Sequence, residues 1–261
     1  MFLEVNFFAE TLNLQTQMNV ILPQRVGWWR DLPKGDGTCP VLYLLHGMSD
    51  DHTAWCRRTS IERYAEEKNI AVIMPAGDLG WYTDMKYGYA YYTFLTEELP
   101  VICHNFFPML STEREKTYIG GLSMGGYGAL KFALNKADRY AYAGVFSGAV
   151  DAYEEIRKET YPPEELALYN DIFGTDEEFL GSINDLPAMV KKHASDEVKT
   201  KIYMSIGLSD WLLPMNRRVS ALLSENGYDV TYSEVPGDHE WAVWDSEVRK
   251  FLAWLPERRD S

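Results

Sequence analysis

Gly121-Leu122-Ser123-Met124-Gly125 holds a serine between two glycines in the spacing G-x-S-x-G. A serine hydroxyl attacks a carbonyl only when a base takes its proton, so the pentapeptide calls for a histidine and an acid that orients it. Its surroundings give the glycines a physical reason. A strand-like stretch, YIGG at 118–121, runs directly into a helix-like stretch from Met124 to Asn135. A turn sharp enough to join the two leaves no room for side chains at 121 and 125. It also lifts the serine to a helix N-terminus, whose partial positive charge favours a developing oxyanion.

In this setting the partners are expected in the chain order serine, acid, histidine. Of the five histidines only His193 and His239 follow Ser123. His193 lies in the charged stretch KKHASDEVK and reads as solvated. His239 lies in PGDHEW, between the last strand-like and the last helix-like segment, and is the expected general base. Asp210 follows KIYMSIGLS and is the expected acid; a helix N-cap role there is compatible with it. Asp151, after YAGVFSGAV, is the alternative, and Asp238 beside the histidine carries little weight. Two donors must meet the oxyanion. The backbone N–H of Met124 is one, and the N–H of Met48, after His46-Gly47, is the other, with Ser49 as its alternative. His46 itself is read as a structural hydrogen-bonding residue.

The elements that must hold these residues alternate. FLEVNFF (2–8) and QMNVIL (17–22) read as an antiparallel strand pair. Residues 24–40 read as a loop. VLYLLHG (41–47) and IAVIMPAG (70–77) are continuous apolar runs of the kind buried on both faces of a parallel sheet. Further strands are expected at 118–121, 142–148, 201–207 and 229–237, with helices near 53–68, 91–107, 124–135, 213–226 and 241–255. Residues 151–199 break the rhythm and read as an insertion of short helices, a partial lid or a plain surface excursion. The pattern predicts one α/β domain over 1–261: a mostly parallel central sheet with helices on both faces. Ligands of such sheets sit beyond the strand carboxyl ends, so the informative loops are 46–53, 76–85, 121–125, 148–151, 208–211 and 237–240.

Composition narrows the function. The 261 residues carry 39 acidic and 25 basic side chains, a formal net charge of −14. Such a surface repels nucleic-acid backbones and anionic membranes, so neither is an expected partner. Cys39, Cys56 and Cys103 are scattered and suggest no disulfide framework or zinc site. No metal motif and no phosphate loop is present, and no metal or cofactor is expected. No apolar run approaches the ~20 residues that span a bilayer, and the N-terminus lacks the order of a secretory signal. The expected location is cytoplasmic.

LYLLHGMSDDHTAW, PAGDLGWYTDM, YIGGLSMGGYGAL, GLSDWLL and PGDHEWAVW together resemble the esterase D family, over nearly the whole chain. That family includes tributyrin esterases, S-formylglutathione hydrolases and acetyl xylan or feruloyl esterases, and the small tributyrin-esterase branch is the nearest in pattern. The resemblance implies the α/β-hydrolase fold and a small-molecule ester as partner. It implies a triad of Ser123, Asp210 and His239, oxyanion donors at Met48 and Met124, and an aromatic substrate loop at Trp81 and Tyr82. Homo-oligomers are frequent among similar esterases. Where formylglutathione enzymes carry serine-glycine-leucine-threonine-cysteine, this chain has His46-Gly47-Met48-Ser49-Asp50. The activity expected is hydrolysis of short acyl esters, with a thioesterase or an acyltransferase on the same triad as alternatives. Trp81, Tyr82, Trp211 and Trp241 lie near strand ends and suit a sugar or hydroxycinnamoyl ring by stacking, or ordinary packing.

Overall fold

The computed structural model describes residues 1–24, 38–156 and 163–256. Two runs with every residue buried form neighbouring parallel strands, β3 (Val41–Leu45) and β4 (Ala71–Pro75). Before them come β1 (Phe2–Ala9) and β2 (Leu14–Ile21). After them come β5 (Thr117–Leu122), β6 (Tyr142–Phe146), β7 (Lys201–Gly207) and β8 (Val230–Val235). The eight strands form one sheet in the order β1-β2-β4-β3-β5-β6-β7-β8. The β1–β2 and β2–β4 pairings are antiparallel and the others are parallel. β2 therefore caps the parallel block, and β1 is an edge whose side chains alternate between more exposed and less exposed positions.

The helices are α1 (Ala54–Arg58), α2 (Ile61–Lys68), α3 (Tyr91–Thr93), α4 (Leu99–Phe106), α5 (Met124–Asn135), α6 (Ala152–Ile156), α7 (Pro163–Phe173), α8 (Asp176–Phe179), α9 (Leu186–Lys192), α10 (Leu213–Glu225) and α11 (Trp241–Trp254). They cover both faces, because successive strand residues point to opposite sides. Val41, Tyr43, Leu45, Ile119, Val145 and Met204 face a core shared with α5 and α10. Leu42, Leu44, Tyr118, Phe146 and Tyr203 face a second core, closed by Trp55, Ile61, Val248 and Phe251 of α1, α2 and α11. This is the layered arrangement that the alternation of segments predicts.

The helix expected near 53–68 is broken, whereas the one near 91–107 stays helical over 91–106 and only changes its hydrogen bonding. The 53–68 segment stops at Thr59, which is extended, and Ser60 N–H donates to Asp245 of α11 at 3.0 Å. In the 91–107 segment Pro100 has no N–H to continue an α-helical ladder. The chain widens just before it into a π turn over Phe94–Glu98, with Leu99 N–H bonded to Phe94 O. The expected loop at 24–40 lies outside the described residues over 25–37, as do residues 157–162 of the insertion. The described part of the insertion is helical and docked: α9 packs on α5 and α10.

Parallel register brings distant loops to one end of the sheet. Leu45 pairs with Gly121, Leu122 with Phe146, Phe146 with Ser205, and Gly207 with Val235. The chain leaves these strands as 46–50, 123, 147–149, 208–210 and 237–239, which include the residues singled out by their chemistry. Between β5 and α5 the turn is tight. A Cβ on Gly125 would lie 2.5 Å from the backbone carbonyl oxygens of both Leu45 and His46, and one on Gly121 would collide with the Gly125 carbonyl. Neither neighbour can move without displacing β3 or α5. Gly125→Ala is therefore expected to lower unfolding free energy by about 2–3 kcal/mol in chemical denaturation, the scale of a forced overlap in a packed core.

Candidate active site

Ser123 joins β5 to α5 in a left-handed conformation, φ 53° and ψ −118°. Its backbone is held on both sides. Its N–H donates to Phe146 O at 2.9 Å, and its carbonyl accepts from Tyr127 N–H at 3.0 Å and Ala149 N–H at 3.1 Å. A bulky residue rarely occupies such backbone space, and the strain costs on the order of 1–3 kcal/mol. The result is a hydroxyl standing clear of strand and helix.

His239 Nε2 lies 3.0 Å from Ser123 Oγ, and His239 Nδ1 lies 2.8 Å from Asp210 Oδ2. A carboxylate only accepts, so Nδ1–H donates to Asp210 and Nε2 is left as an acceptor facing the serine hydroxyl. Asp210 is buried, and its second oxygen accepts Leu212 N–H at 2.9 Å, so it orients the imidazole and ties down the turn before α10. The other acids are engaged elsewhere. Asp151 pairs with Arg218 at 3.2 Å, and Asp238 accepts the backbone N–H of His239 at 2.8 Å, not its ring. His193 pairs with Asp196 within the insertion.

Met48 and Met124 follow Gly47 and Ser123, and neither N–H is given to a protein acceptor among the described residues. Gly47 brings the two loops together: a Cβ there would meet Leu122 Cδ1 at 2.5 Å and Ser123 Cβ at 3.6 Å. Ser49 follows in left-handed space at φ 66°.

His46 is buried and fully bonded. Gly77 N–H donates to its Nε2 at 2.9 Å, so Nδ1 carries the proton and donates to Gly47 O at 2.8 Å. Burial pushes its pKa below the ordinary histidine value. A trans peptide sets its N–H opposite its C=O. Fixing Gly47 O therefore fixes the direction of Met48 N–H, which is the structural role that its position suggested.

The four aromatic residues expected at a ligand divide. Tyr82 is fully buried; its hydroxyl donates to His46 O at 2.7 Å, so it braces the loop from behind and offers no face to a ligand. Trp81 is likewise internal, packed edge-on against Tyr127, Tyr169 and Phe173. Both sit at positive φ, 47° and 52°. Trp241 lies in an aromatic row between Trp55 and Trp244. Only Trp211 stands out, 59 % exposed, with its ring centroid 4.1 Å from that of His239.

Sequence reasoning missed Trp244, which meets the His239 ring edge-on at 4.9 Å. It also missed Lys131, although a single charge inside the apolar run GALKFAL was a visible signal. The Lys131 side chain is buried on α5. Its Nζ donates to Thr83 Oγ1 at 2.6 Å, Asn184 Oδ1 at 2.6 Å and Tyr82 O at 3.2 Å, and lies 5.0 Å from the Tyr92 ring centroid. It thereby binds the strained 81–83 turn and the insertion to α5. Tyr127 OH adds a bond to Asn184 O at 3.0 Å. Among the described residues no group of three or more His, Cys, Asp or Glu could hold a metal ion. No described helix is long and apolar enough to cross a membrane.

A family model described as "Putative esterase" matches residues 9–255. The chain belongs to that family. It is a serine esterase of the α/β-hydrolase fold. An acetyl esterase of Caldicellulosiruptor saccharolyticus is 30% identical, with 99% of each chain covered. Among solved structures, a fluorophosphonate-binding serine hydrolase of Staphylococcus aureus superposes with a TM-score of 0.87 at 32% identity, covering 98% of each chain. An S-formylglutathione hydrolase of the same organism gives 0.84 at 32% identity, again covering 98% of each chain.

Burial, opposed only in part by the Asp84 carboxylate, lowers the Lys131 pKa from the ordinary 10.5 to about 7. Between those values the unfolded chain binds a proton that the folded esterase does not, so stability rises with pH. Unfolding free energy of the wild type relative to Lys131→Met should therefore increase from pH 7 to pH 9, by up to about 1.4 kcal/mol per pH unit. A difference independent of pH would mean that the buried amine keeps its proton throughout.

Proposed function

We propose that this esterase hydrolyses short acyl esters of small molecules, with Ser123 as nucleophile, His239 as general base and Asp210 as its orienting acid. The observation that carries this reading is the unbroken hydrogen-bonded line from Asp210 Oδ2 through the His239 ring to Ser123 Oγ. Ser123 Oγ attacks the ester carbonyl as its proton passes to His239 Nε2. The backbone N–H groups of Met48 and Met124 receive the oxyanion, ready before charge develops. His239 then gives the proton to the departing alcohol, leaving an acyl-serine. Water, deprotonated by the same nitrogen, attacks the acyl-serine and releases the acid and free enzyme. Asp210 stays ionised and stabilises the imidazolium that forms in each half.

A second reading, thioester hydrolysis, has the similarity to the Staphylococcus aureus S-formylglutathione hydrolase behind it. The run His46-Gly47-Met48-Ser49-Asp50 departs from the pattern of formylglutathione enzymes and weighs toward oxygen esters. Acyl transfer to an alcohol uses the same acyl-serine, and the product formed with an added alcohol separates it from hydrolysis.

Hydrolysis of p-nitrophenyl acetate, butyrate and octanoate beside S-formylglutathione tests both readings. Expected are turnover falling with acyl length and little thioester cleavage; the reverse preference would install the thioesterase. Ser123→Ala should remove about 10⁶-fold of kcat, as loss of a triad nucleophile does. Asp210→Asn should keep the fold and lose about 10⁴-fold, because the neutral amide no longer holds the imidazole in the required tautomer. Near-normal turnover in Asp210→Asn would take the acid role away from that residue.

A further inference from the structure

Trp211 is a large apolar side chain left mostly in water directly against the catalytic imidazole. Its ring centroid lies 4.1 Å from that of His239, with the planes tilted by 42°. The residue is 59 % exposed, whereas Trp244, the other indole on His239, is buried. Trp211 follows Asp210 directly, and Leu208 on the same loop and Met48 on the loop after β3 are also exposed. An indole has room to be buried in a fold this size, so one held open at a reaction centre has a face to offer.

The chemistry of the histidine says which half of an ester that face meets. His239 Nε2 must hand its proton to the alcohol oxygen, which requires that oxygen within about 2.6–3.2 Å of the nitrogen. The alcohol carbons attached to it then lie alongside the imidazole, within van der Waals reach of the ring that covers it. The acyl carbons extend from the other side of the carbonyl, away from the proton donor. An indole against His239 therefore contacts the leaving group and not the acid.

We infer that Trp211 is the specificity-determining residue for the alcohol half, selecting alcohols that present a ring with a flat apolar face. The inference rests on the proposed roles of Ser123 and His239. An aryl ring and the C–H face of a pyranose share that chemistry, and either stacks on an indole for about 0.5–1.5 kcal/mol beyond simple burial. A hydroxycinnamoyl ring sits in the acyl half, so Trp211 does not serve it.

The test holds the acyl group constant as acetyl and varies the alcohol: methyl acetate, benzyl acetate and an acetylated methyl xylopyranoside, with wild type, Trp211→Ala and Trp211→Phe. All three substrates form the same acetyl-enzyme, so any effect on its hydrolysis is common to them and cancels between substrates. Trp211→Ala should lower kcat/KM about 10-fold for benzyl acetate or the xyloside ester, through KM, and about 2-fold or less for methyl acetate. Trp211→Phe should recover part of the loss. Whether the loss falls on the aryl or the sugar ester identifies the source of the ring. Equal losses for methyl and ring-bearing acetates would overturn the inference, since Trp211 would then act only by holding His239. So would a loss that grows with acyl length on p-nitrophenyl esters. Wild-type turnover that survives Ser123→Ala would instead remove the underlying reading, and the inference with it.

Discussion

Ser123 occupies backbone space that a serine adopts only under constraint, and much of the site can be understood as the means of keeping it there. Three backbone hydrogen bonds, to Phe146, Tyr127 and Ala149, hold it from β6, α5 and the 147–149 loop. The glycines at 121 and 125 let β5, α5 and β3 close on the turn from three sides. A local strain of a few kcal/mol persists because the surrounding sheet over-determines it. The outcome is a hydroxyl fixed relative to the ends of β7 and β8, from which Asp210 and His239 reach it. A hydrogen-bonded line of three side chains needs all three frames to be rigid, and a parallel sheet provides that.

Behind the site the polar groups are bracing, and they are buried where a mistake would be costly. His46 receives Gly77 N–H and donates to Gly47 O. Tyr82 donates to His46 O, and Lys131 donates to Tyr82 O. This series links α5 to the turn at 81–83 and to the loop that carries Met48. The Trp81 and Tyr82 backbones are left-handed, which bulky residues rarely tolerate, and the bonds to Tyr82 O and Tyr82 OH offset that cost. Lys131 also reaches Asn184, so the described part of the insertion is anchored to the helix that begins after Ser123.

In front of the site the character changes. Met48, Leu208 and Trp211 expose apolar surface on a chain whose formal charge is −14. The excess of acidic groups opposes anionic partners. An uncharged molecule feels little of that field.

The sequence by itself determined the layered α/β architecture and singled out Ser123 and His239, with Asp210 preferred over Asp151 as their acid. Both are written in local patterns: apolar runs of strand length ending at glycine, and a G-x-S-x-G turn between strand and helix. Helix continuity failed at Thr59, where a contact with Asp245 outweighed helical spacing, while 91–106 stayed helical and only widened before Pro100. Asp151 and Asp210 both follow strands, and only the tertiary structure shows which of them meets the His239 ring. Arg218 occupies the first, while the second lies within 2.8 Å of the imidazole. It also sorted the aromatics. Trp81, Tyr82, Trp211 and Trp241 are alike as residue types near strand ends, yet Tyr82 became a brace and Trp211 an open face. Burial and partner identity depend on which distant segments converge, and residue type and local spacing do not contain that information.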